Sequence, residues 1–214
     1  CHRGIGTSND NFLKNQHLYF AALNYYYQHS FCYIELGDGD ELWENRSFSA
    51  IQNIHSNVFW LLSLFYEEHR LFMLFGNHDI AKKDFHPFSD CCFHEGLRLK
   101  DCVTGQELYL THGHQADFFN STLWRLSCFL VRYLWKPLEQ FGVLDPTSAA
   151  KNYKVKNKTE QRLQEWTKLH KKILITGHTH RPVLGSKDSL YFNTGSCVHP
   201  RCITCIELVH RELS

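Results

Sequence analysis

The sequence predicts an α/β protein, because short apolar runs typical of buried strands alternate with stretches whose apolar residues recur at helical intervals. Four of these runs stop directly at a motif that contains glycine, aspartate, asparagine or histidine. In an α/β sheet, ligands bind beyond the carboxyl ends of the strands. The same pattern therefore predicts that these motifs meet at one edge of the sheet.

The first predicted element is an amphipathic helix over residues 11 to 29. Its apolar positions are Phe12, Tyr19, Leu23 and Tyr26. Its candidate N-caps are Ser8, Asn9 and Asp10. A β-prone run, FCYIEL at 31 to 36, then stops at Gly37, and the helical period returns over residues 51 to 65.

Three further apolar runs are predicted strands: LFMLF at 71 to 75, ELYL at 107 to 110 and KILIT at 172 to 176. The first ends at a Gly-Asn-His sequence, the second at Thr-His and the third at Gly-His. Short β-prone pieces near 190 to 193 and 203 to 208 complete the predicted sheet.

Residues 117 to 170 interrupt the alternation of predicted strands and helices, and they predict a helical insertion. The segment 118 to 138 is rich in leucine, tryptophan and phenylalanine, FGVLDP at 141 to 146 predicts a turn, and 147 to 170 is a polar helical stretch. The aromatic residues of the insertion are Phe118, Phe119, Trp124, Phe129, Tyr133 and Trp135.

Composition limits the class of protein. With 214 residues and 43% hydrophobic content, the chain can bury one good core, and 23 basic against 22 acidic residues indicate neither a nucleic-acid partner nor a polybasic membrane surface. Nine scattered cysteines favour reduced thiols and a cytoplasmic location, with CITC at 202 to 205 interpreted as buried apolar thiols rather than half a zinc knuckle. No apolar run reaches the roughly 18 residues of a membrane span.

The polar motifs at the strand ends are GDGDE at 37 to 41, GNHD at 76 to 79, THGH at 111 to 114 and GHTH at 177 to 180. Taken singly, the first two also fit ordinary polar turns. Two histidines flanking one residue in GHTH have no evident packing use. Because imidazole and carboxylate are ligands of divalent metals, the combined set predicts a two-metal centre, which suits in-line displacement at phosphorus and hence phosphoester hydrolysis.

In order and spacing, these motifs resemble the calcineurin-like metallophosphoesterase superfamily, whose pattern is DxH, GDxxD, GNH followed by Asp or Glu, His, and GHxH. The resemblance spans nearly the whole chain and implies a single domain over residues 1 to 214, a layered αββα sandwich with a helical cap at 117 to 170. Cys1 and His2 fit the end of DxH if an aspartate precedes Cys1, so we expect the first strand to be truncated. A lipidated Cys1 is the rival explanation.

The resemblance also implies the roles of individual residues around two divalent metal ions, with manganese favoured and iron, zinc or nickel also fitting. The implied metal ligands are His2, Asp38, Asn77, His112, His178 and His180. Asp38 would bridge the two ions, and a hydroxide between them would be the nucleophile. His78 would face the leaving group while Asp79 orients its imidazole.

The second motif departs from the family pattern, because Glu41 stands where the superfamily has aspartate. We expect this position to lie outside the metal ligands. The candidates for contact with the substrate phosphate are Arg3, Asn45 and Arg46, for which a solvated surface role stays open. NTGS at 193 to 196 resembles the closing turn of the family.

The first functional prediction is a phosphatase or phosphodiesterase with a phosphoester substrate and no specific nucleic-acid partner. The insertion is similar in place and character to the cap of UDP-2,3-diacylglucosamine hydrolases, so the alternative is a pyrophosphohydrolase of that kind, with peripheral membrane contact through the cap. A scaffold of the same fold that has lost catalysis is the third possibility.

Overall fold

The computed structural model describes residues 1–7, 10–84, 88, 92–117, 124–130, 133, 153–186, 188–199, 202–210 and 212–213. They form two compact units, one of Cys1–His94 with Cys197–Ile203 and the other of Glu95–Ser196 with Thr204–Ser214. Each unit contains its own sheet, with helices in both. The predicted α/β class is confirmed.

The first unit holds a parallel sheet in the order β1-β2-β3, formed by Tyr33–Leu36, Leu71–Leu74 and Phe93–His94. Its helices are α1 (Gln16–Gln28), α2 (Phe48–Ile54) and α3 (Ser56–Glu67). The predicted strands at 31 to 36 and 71 to 75 are confirmed. The core of the unit is apolar and includes Phe12, Ile51, Leu61, Leu62 and Phe65.

Two helical predictions in this unit need adjustment. The first helix begins at Gln16 rather than at residue 11, because a short 3-10 turn, Leu13–Asn15, precedes it and Asp10 accepts a hydrogen bond from the Leu13 amide at 3.1 Å. The helical period over 51 to 65 spans two helices that separate at His55, whose backbone leaves helical geometry. The buried His55 ring is held there by the Asp10 carboxylate, 3.0 Å from Nε2.

The second unit holds a four-stranded sheet in the order β4-β5-β6-β7, formed by Gly96–Lys100, Glu107–Thr111, Ile173–Thr176 and Tyr191–Asn193. β4 is antiparallel to β5, and β5, β6 and β7 are parallel. The predicted strands at 107 to 110, 172 to 176 and 190 to 193 are confirmed. Near 203 to 208 the prediction is wrong, since pairing starts only with β8 (Leu208–Val209), which forms a hairpin with β9 (Glu212–Leu213).

Two helices are described within the predicted insertion, α4 (Trp124–Leu130) and α5 (Tyr153–His170). Residues 118–123, 131–132 and 134–152 lie outside the described residues, and with them the turn at 141 to 146 and the aromatic residues Phe118, Phe119 and Trp135. The side chains of Phe129 and Tyr133 are exposed. Within the described ranges, no helix has the length and apolarity needed to cross a membrane.

Candidate metal centre

Two motif loops of the first unit follow neighbouring parallel strands, GDGDE after β1 and GNHD after β2. They approach so closely that both need glycine. A Cβ at Gly37 would lie 2.5 Å from the backbone nitrogen of Gly76, and a Cβ at Gly76 would lie 2.2 Å from Oδ1 of Asp38. Gly37 also has a φ of 86°, in the left-handed region that favours glycine. The glycines of these motifs thus let the two loops share one small space.

Asp79 fastens the two loops to each other. Its Oδ1 accepts hydrogen bonds from the amides of Gly76 at 2.7 Å and Asp38 at 3.1 Å, and its Oδ2 accepts one from the Gly39 amide at 3.0 Å. Charge-assisted bonds of this kind are among the strongest in proteins. Asp79 therefore fixes the backbone beneath Asp38 rather than orienting the imidazole of His78 as predicted.

Asp38 is a buried carboxylate with an unusual backbone, at φ 51°. Its Oδ1 accepts a hydrogen bond from the His78 amide at 2.8 Å, and its Oδ2 lies 3.6 Å from Nε2 of His2. The His2 amide donates to the Asp38 carbonyl at 2.7 Å, so the first residues of the chain run alongside the GDGDE loop. The predicted ligands His2 and Asp38 are brought together.

Glu41 joins the imidazoles of His2 and His78. One carboxylate oxygen accepts from His2 Nδ1 at 2.8 Å and the other accepts from His78 Nδ1 at 2.7 Å. Nε2 of His2 lies toward Asp38, 3.6 Å from Oδ2, and the centroids of the two rings lie 4.7 Å apart. Sequence reasoning missed this role, although the acidic residue at the fifth position of GDGDE was the available signal.

The protonation of these side chains follows from their burial and charges. Burial lowers the pKa of His2 below its ordinary value, which favours the neutral imidazole that metals bind. Burial also lowers the pKa of His78, but the carboxylates of Glu41 and Asp38 outweigh this effect and raise it to about 9. For Glu41 itself, burial raises the pKa, but the charge of His78 and the hydrogen bonds from His2 and His78 together lower it below its usual range.

The arrangement fits a divalent cation. Ligand atoms of His2, Asp38 and His78 all lie within 4.8 Å of one another. Asn77 is 1% exposed, and its Oδ1 has no hydrogen-bond partner among the described residues. A buried carbonyl oxygen without a partner is costly, and a cation would satisfy it. The first unit thus brings together four predicted site residues, His2, Asp38, Asn77 and His78, with donor types suited to zinc, manganese or iron.

Beneath this cluster lies a buried charge network. The guanidinium of Arg3 is fully buried, donates to both oxygens of Glu35 at 2.9 Å, and donates from Nε to Asp40 at 2.6 Å. The Lys82 ammonium, also fully buried, lies 2.9 Å from Asp79 Oδ2 and contacts Asp40. Burial lowers the pKa of Arg3 and of Lys82, and the adjacent carboxylates raise both above their ordinary values.

The predicted substrate-binding residues occupy three different settings. Arg3 is held in the interior, which disfavours contact with a phosphate because its hydrogen bonds to carboxylates would have to break. Asn45 is buried and donates from Nδ2 to the Glu41 carbonyl at 2.9 Å, so it stabilises the loop that carries Glu41. Arg46 is exposed, and its contact with substrate stays a prediction.

The second unit contributes the other predicted ligands. His112 and His178 are buried, and their ring centroids lie 5.1 Å apart. Nε2 of His178 lies 3.7 Å from the carboxylate of Asp117, a buried acidic residue that sequence reasoning did not single out. His114 is also buried, with its ring centroid 5.5 Å from that of His112. His180 is half-buried.

The GHTH turn of this unit is strained and tied down by side chains. His178 has a φ of 64° and His180 has a φ of 56°, values that residues with a Cβ seldom adopt. The buried Asn193 donates from Nδ2 to the Gly177 carbonyl at 2.7 Å and to Thr179 Oγ1 at 3.2 Å. The NTGS segment therefore supports the turn that carries both histidines, and backbone strain of this kind is typical of functional sites.

Comparison with known proteins adds little at the level of sequence. No protein-family model matches the chain, and no curated protein matches it. Among solved structures, the chain is similar to a conserved uncharacterized protein of Streptococcus pneumoniae that is described as a predicted phosphoesterase, with 17% identity and a TM-score of 0.38. The match covers 95% of this chain and 76% of that one. At this similarity, the case for a function rests on the side chains themselves.

Proposed function

We propose that this protein is a divalent-metal-dependent phosphoester hydrolase, acting as a phosphatase or phosphodiesterase. The observation that carries the proposal lies in the first unit, where ligand atoms of His2 and Asp38 lie within 4.8 Å of each other and of the His78 ring, and the buried Oδ1 of Asn77 has no hydrogen-bond partner among the described residues. Glu41 accepts a hydrogen bond from Nδ1 of both imidazoles, and Nε2 of His2 lies 3.6 Å from Oδ2 of Asp38. A purely structural role would not require two imidazoles and a carboxylate to converge in this way.

In the proposal, His2, Asp38 and Asn77 hold metal in the first unit, and His112, His178 and His180 supply ligands from the second. The family resemblance, not the geometry, assigns the role of metal ligand to each of these six residues. Divalent metals in such a centre lower the pKa of a water molecule and neutralise charge on phosphoryl oxygens. Manganese is the first choice and iron, zinc and nickel fit the same donors.

His78 is proposed to donate a proton to the leaving-group oxygen. Its Nδ1 is committed to Glu41, so Nε2 is the ring atom that can reach a substrate. In the metal-free protein, the carboxylates of Glu41 and Asp38 outweigh burial and raise the pKa of His78 to about 9, and its hydrogen bond to Glu41 favours the protonated ring. Trp43 stacks on the ring with a centroid distance of 4.3 Å and restricts its orientation. The ring is thus charged, oriented and partly open to solvent.

Asp79 and Lys82 are proposed to keep the loops rigid while substrate binds. The Asp79 carboxylate accepts from backbone amides of both motif loops, and the ammonium of Lys82 neutralises it. A site held by such interactions is preorganised, so little reorganisation is needed when charge develops in the transition state. This function replaces the orientation of His78 that the sequence predicted for Asp79.

The finer substrate class stays a prediction. Six aromatic residues of the insertion suggest a lipid-linked pyrophosphate as substrate and membrane contact through the cap. Three of them, Phe118, Phe119 and Trp135, lie outside the described residues. The cytoplasmic location is likewise a prediction, which cell fractionation would test. Because the insertion is not described in full, the general phosphoesterase remains the proposed activity.

The test is hydrolysis of para-nitrophenyl phosphate and bis-para-nitrophenyl phosphate by the purified chain, first stripped of metal with a chelator and then given Mn²⁺. We expect turnover that depends on Mn²⁺, and a loss of about 100-fold or more in Asp38→Asn, because this substitution removes a charged ligand. Glu67→Gln is the matched control, since Glu67 is an exposed acidic residue of the same unit.

Two results would decide against the proposal or narrow it. If the chain binds no divalent metal and shows no turnover on either ester, the catalytic account fails and a scaffold is favoured. If metal binds but neither ester turns over, the activity toward simple esters is wrong, and a larger substrate selected by the insertion is favoured instead.

A further inference from the structure

Helix α5, the last part of the predicted insertion, buries polar side chains on the face that packs against its unit. The buried positions follow helical spacing and are Thr159, Glu160, Leu163 and Thr167. Leu163 packs with Leu174 and Tyr191 in the core of the unit. Glu160 is only 1% exposed, and a buried carboxylate is costly unless it is paired and hydrogen-bonded. The hydrogen-bond partners of Glu160 therefore explain why a carboxylate is buried at this position.

Both partners of Glu160 belong to the turn that carries the GHTH histidines. Its Oε1 accepts from Thr179 Oγ1 at 2.8 Å and from Arg181 Nε at 3.1 Å. The Arg181 guanidinium also contacts the second carboxylate oxygen. Thr179 and Arg181 are the two neighbours of His180 in the chain. One buried carboxylate thus holds the backbone on both sides of a predicted metal ligand.

Helix α5 also forms a hydrogen bond to the segment that follows His112, another predicted metal ligand of this unit. Arg162 donates from Nη1 to the Ala116 carbonyl at 2.8 Å, at the end of the short 3-10 turn His114–Ala116. The next residue, Asp117, has its carboxylate 3.7 Å from Nε2 of His178. Glu160 and Arg162, which lie within a single turn of one helix, therefore contact both histidine-bearing segments.

The GHTH turn benefits from such support because its backbone conformation is unfavourable. His178 and His180 both have positive φ. Two backbone hydrogen bonds lie at the turn, from the Gly177 amide to the His112 carbonyl at 3.0 Å and from the Thr179 amide to the Gly177 carbonyl at 2.8 Å. Side chains add to these bonds, since the Thr179 hydroxyl donates to Glu160 and accepts from Asn193.

We infer that Glu160 is a positioning residue, through which helix α5 fixes the turn bearing His178 and His180 in the conformation that binds metal. The inference rests on the proposed function in taking these histidines as metal ligands. Glu160 itself touches neither metal nor substrate in this account. Outer residues that orient metal ligands typically change metal affinity by about 10- to 100-fold when they are replaced.

The test compares Glu160→Gln and Glu160→Ala with Glu165→Gln in the full chain. Glu165 lies on the same helix, is exposed, and accepts a hydrogen bond from Gln161 at 3.0 Å, so it controls for the loss of a helical acid. The first readout is hydrogen exchange of the metal-free protein, followed at the amides of residues 177 to 181. The second is calorimetric titration with Mn²⁺. Glu160→Gln keeps the side-chain volume, so it gives a folded variant even if Glu160→Ala unfolds.

We expect about 10-fold faster exchange at the Gly177 and Thr179 amides in Glu160→Gln, and Mn²⁺ affinity lowered by about 10-fold or more, with Glu165→Gln like the wild type. Wild-type exchange at these amides in Glu160→Gln would overturn the inference. An equal acceleration of amide hydrogen exchange in strand β5 would also overturn the inference, because that result indicates a general loss of stability. A wild-type chain that binds no Mn²⁺ contradicts the proposed function instead, and hydrogen exchange still decides whether Glu160 holds the turn.

Discussion

Replacing Arg3 with methionine should destabilise the first unit strongly and should not act through substrate binding. Arg3 is fully buried, and its guanidinium bridges the carboxylates of Glu35 and Asp40. In the variant, Asp40 keeps Lys82 as a partner, whereas Glu35, only 3% exposed, loses the ion pair that compensates its charge. Removing one member of a buried ion pair costs about 3–5 kcal/mol. Typical domains have only about 5–15 kcal/mol of stability, so the effect is large.

The assay is urea unfolding in metal-free buffer, monitored by circular dichroism. It is applied to a double-mutant cycle that consists of the wild type, Arg3→Met, Glu35→Gln and the double variant. Because the pair removes both charges, we expect its loss of stability to be smaller than the sum of the two single losses by about 1–3 kcal/mol. The free energy of unfolding should fall without an accompanying rise in KM for a phosphoester among the molecules that remain folded.

Two results would refute this reasoning. One is an Arg3→Met variant within about 1 kcal/mol of the wild type whose KM for a phosphoester rises, which would return Arg3 to the substrate-binding role that its sequence position suggested. The other is strict additivity in the cycle, which would show that the pairing of Arg3 with Glu35 contributes nothing.

Three further predictions follow from the same contacts. Gly76→Ala should lower Mn²⁺ affinity at least about 10-fold by titration calorimetry, because the new Cβ would lie 2.2 Å from Asp38 Oδ1; wild-type affinity would contradict the crowding argument. Burial raises the pKa of Asp10, but the hydrogen bond and charge of His55, together with hydrogen bonds from backbone amides, outweigh burial and lower that pKa, so the stability that Asp10 contributes is present above about pH 4 and lost as the pH falls through the lower folded value. Urea midpoints at pH 7 and pH 3 should therefore differ less in Asp10→Asn than in the wild type, and an equal difference would exclude this role. Asn193→Ala should speed hydrogen exchange in the GHTH turn, since it removes the 2.7 Å bond to the Gly177 carbonyl, and unchanged exchange would argue against that support.

The strands that carry the motifs were predictable from the sequence because their signals are local. LFMLF and KILIT are apolar runs that stop at glycine or at a Gly-His sequence, and both form parallel strands followed by motif loops. Strand β4 was not predicted. Its residues Gly96–Lys100 alternate between half-buried and exposed positions, and its place is fixed by antiparallel pairing with β5.

The ligand types were also predictable, but the contacts that position them were not. Glu41, Lys82 and Glu160 are polar residues that a sequence pattern assigns to surfaces or turns. Each is buried with partners that are distant in the chain: two imidazoles at Glu41, the Asp40 carboxylate at Lys82, and the GHTH turn at Glu160. Partners so far apart in the chain leave no periodic signal. The role expected of Asp79 failed for the same reason, since the groups that donate to its carboxylate are backbone amides of another loop.

The most direct test of the central claim follows Mn²⁺ binding and bis-para-nitrophenyl phosphate hydrolysis in one metal-free sample as Mn²⁺ is added. The account predicts that activity rises with the same Mn²⁺ dependence as binding, and that Asp38→Asn weakens both while Glu67→Gln changes neither. Hydrolysis that persists in excess chelator, or Mn²⁺ binding that Asp38→Asn leaves intact, would contradict a metal centre built on Asp38.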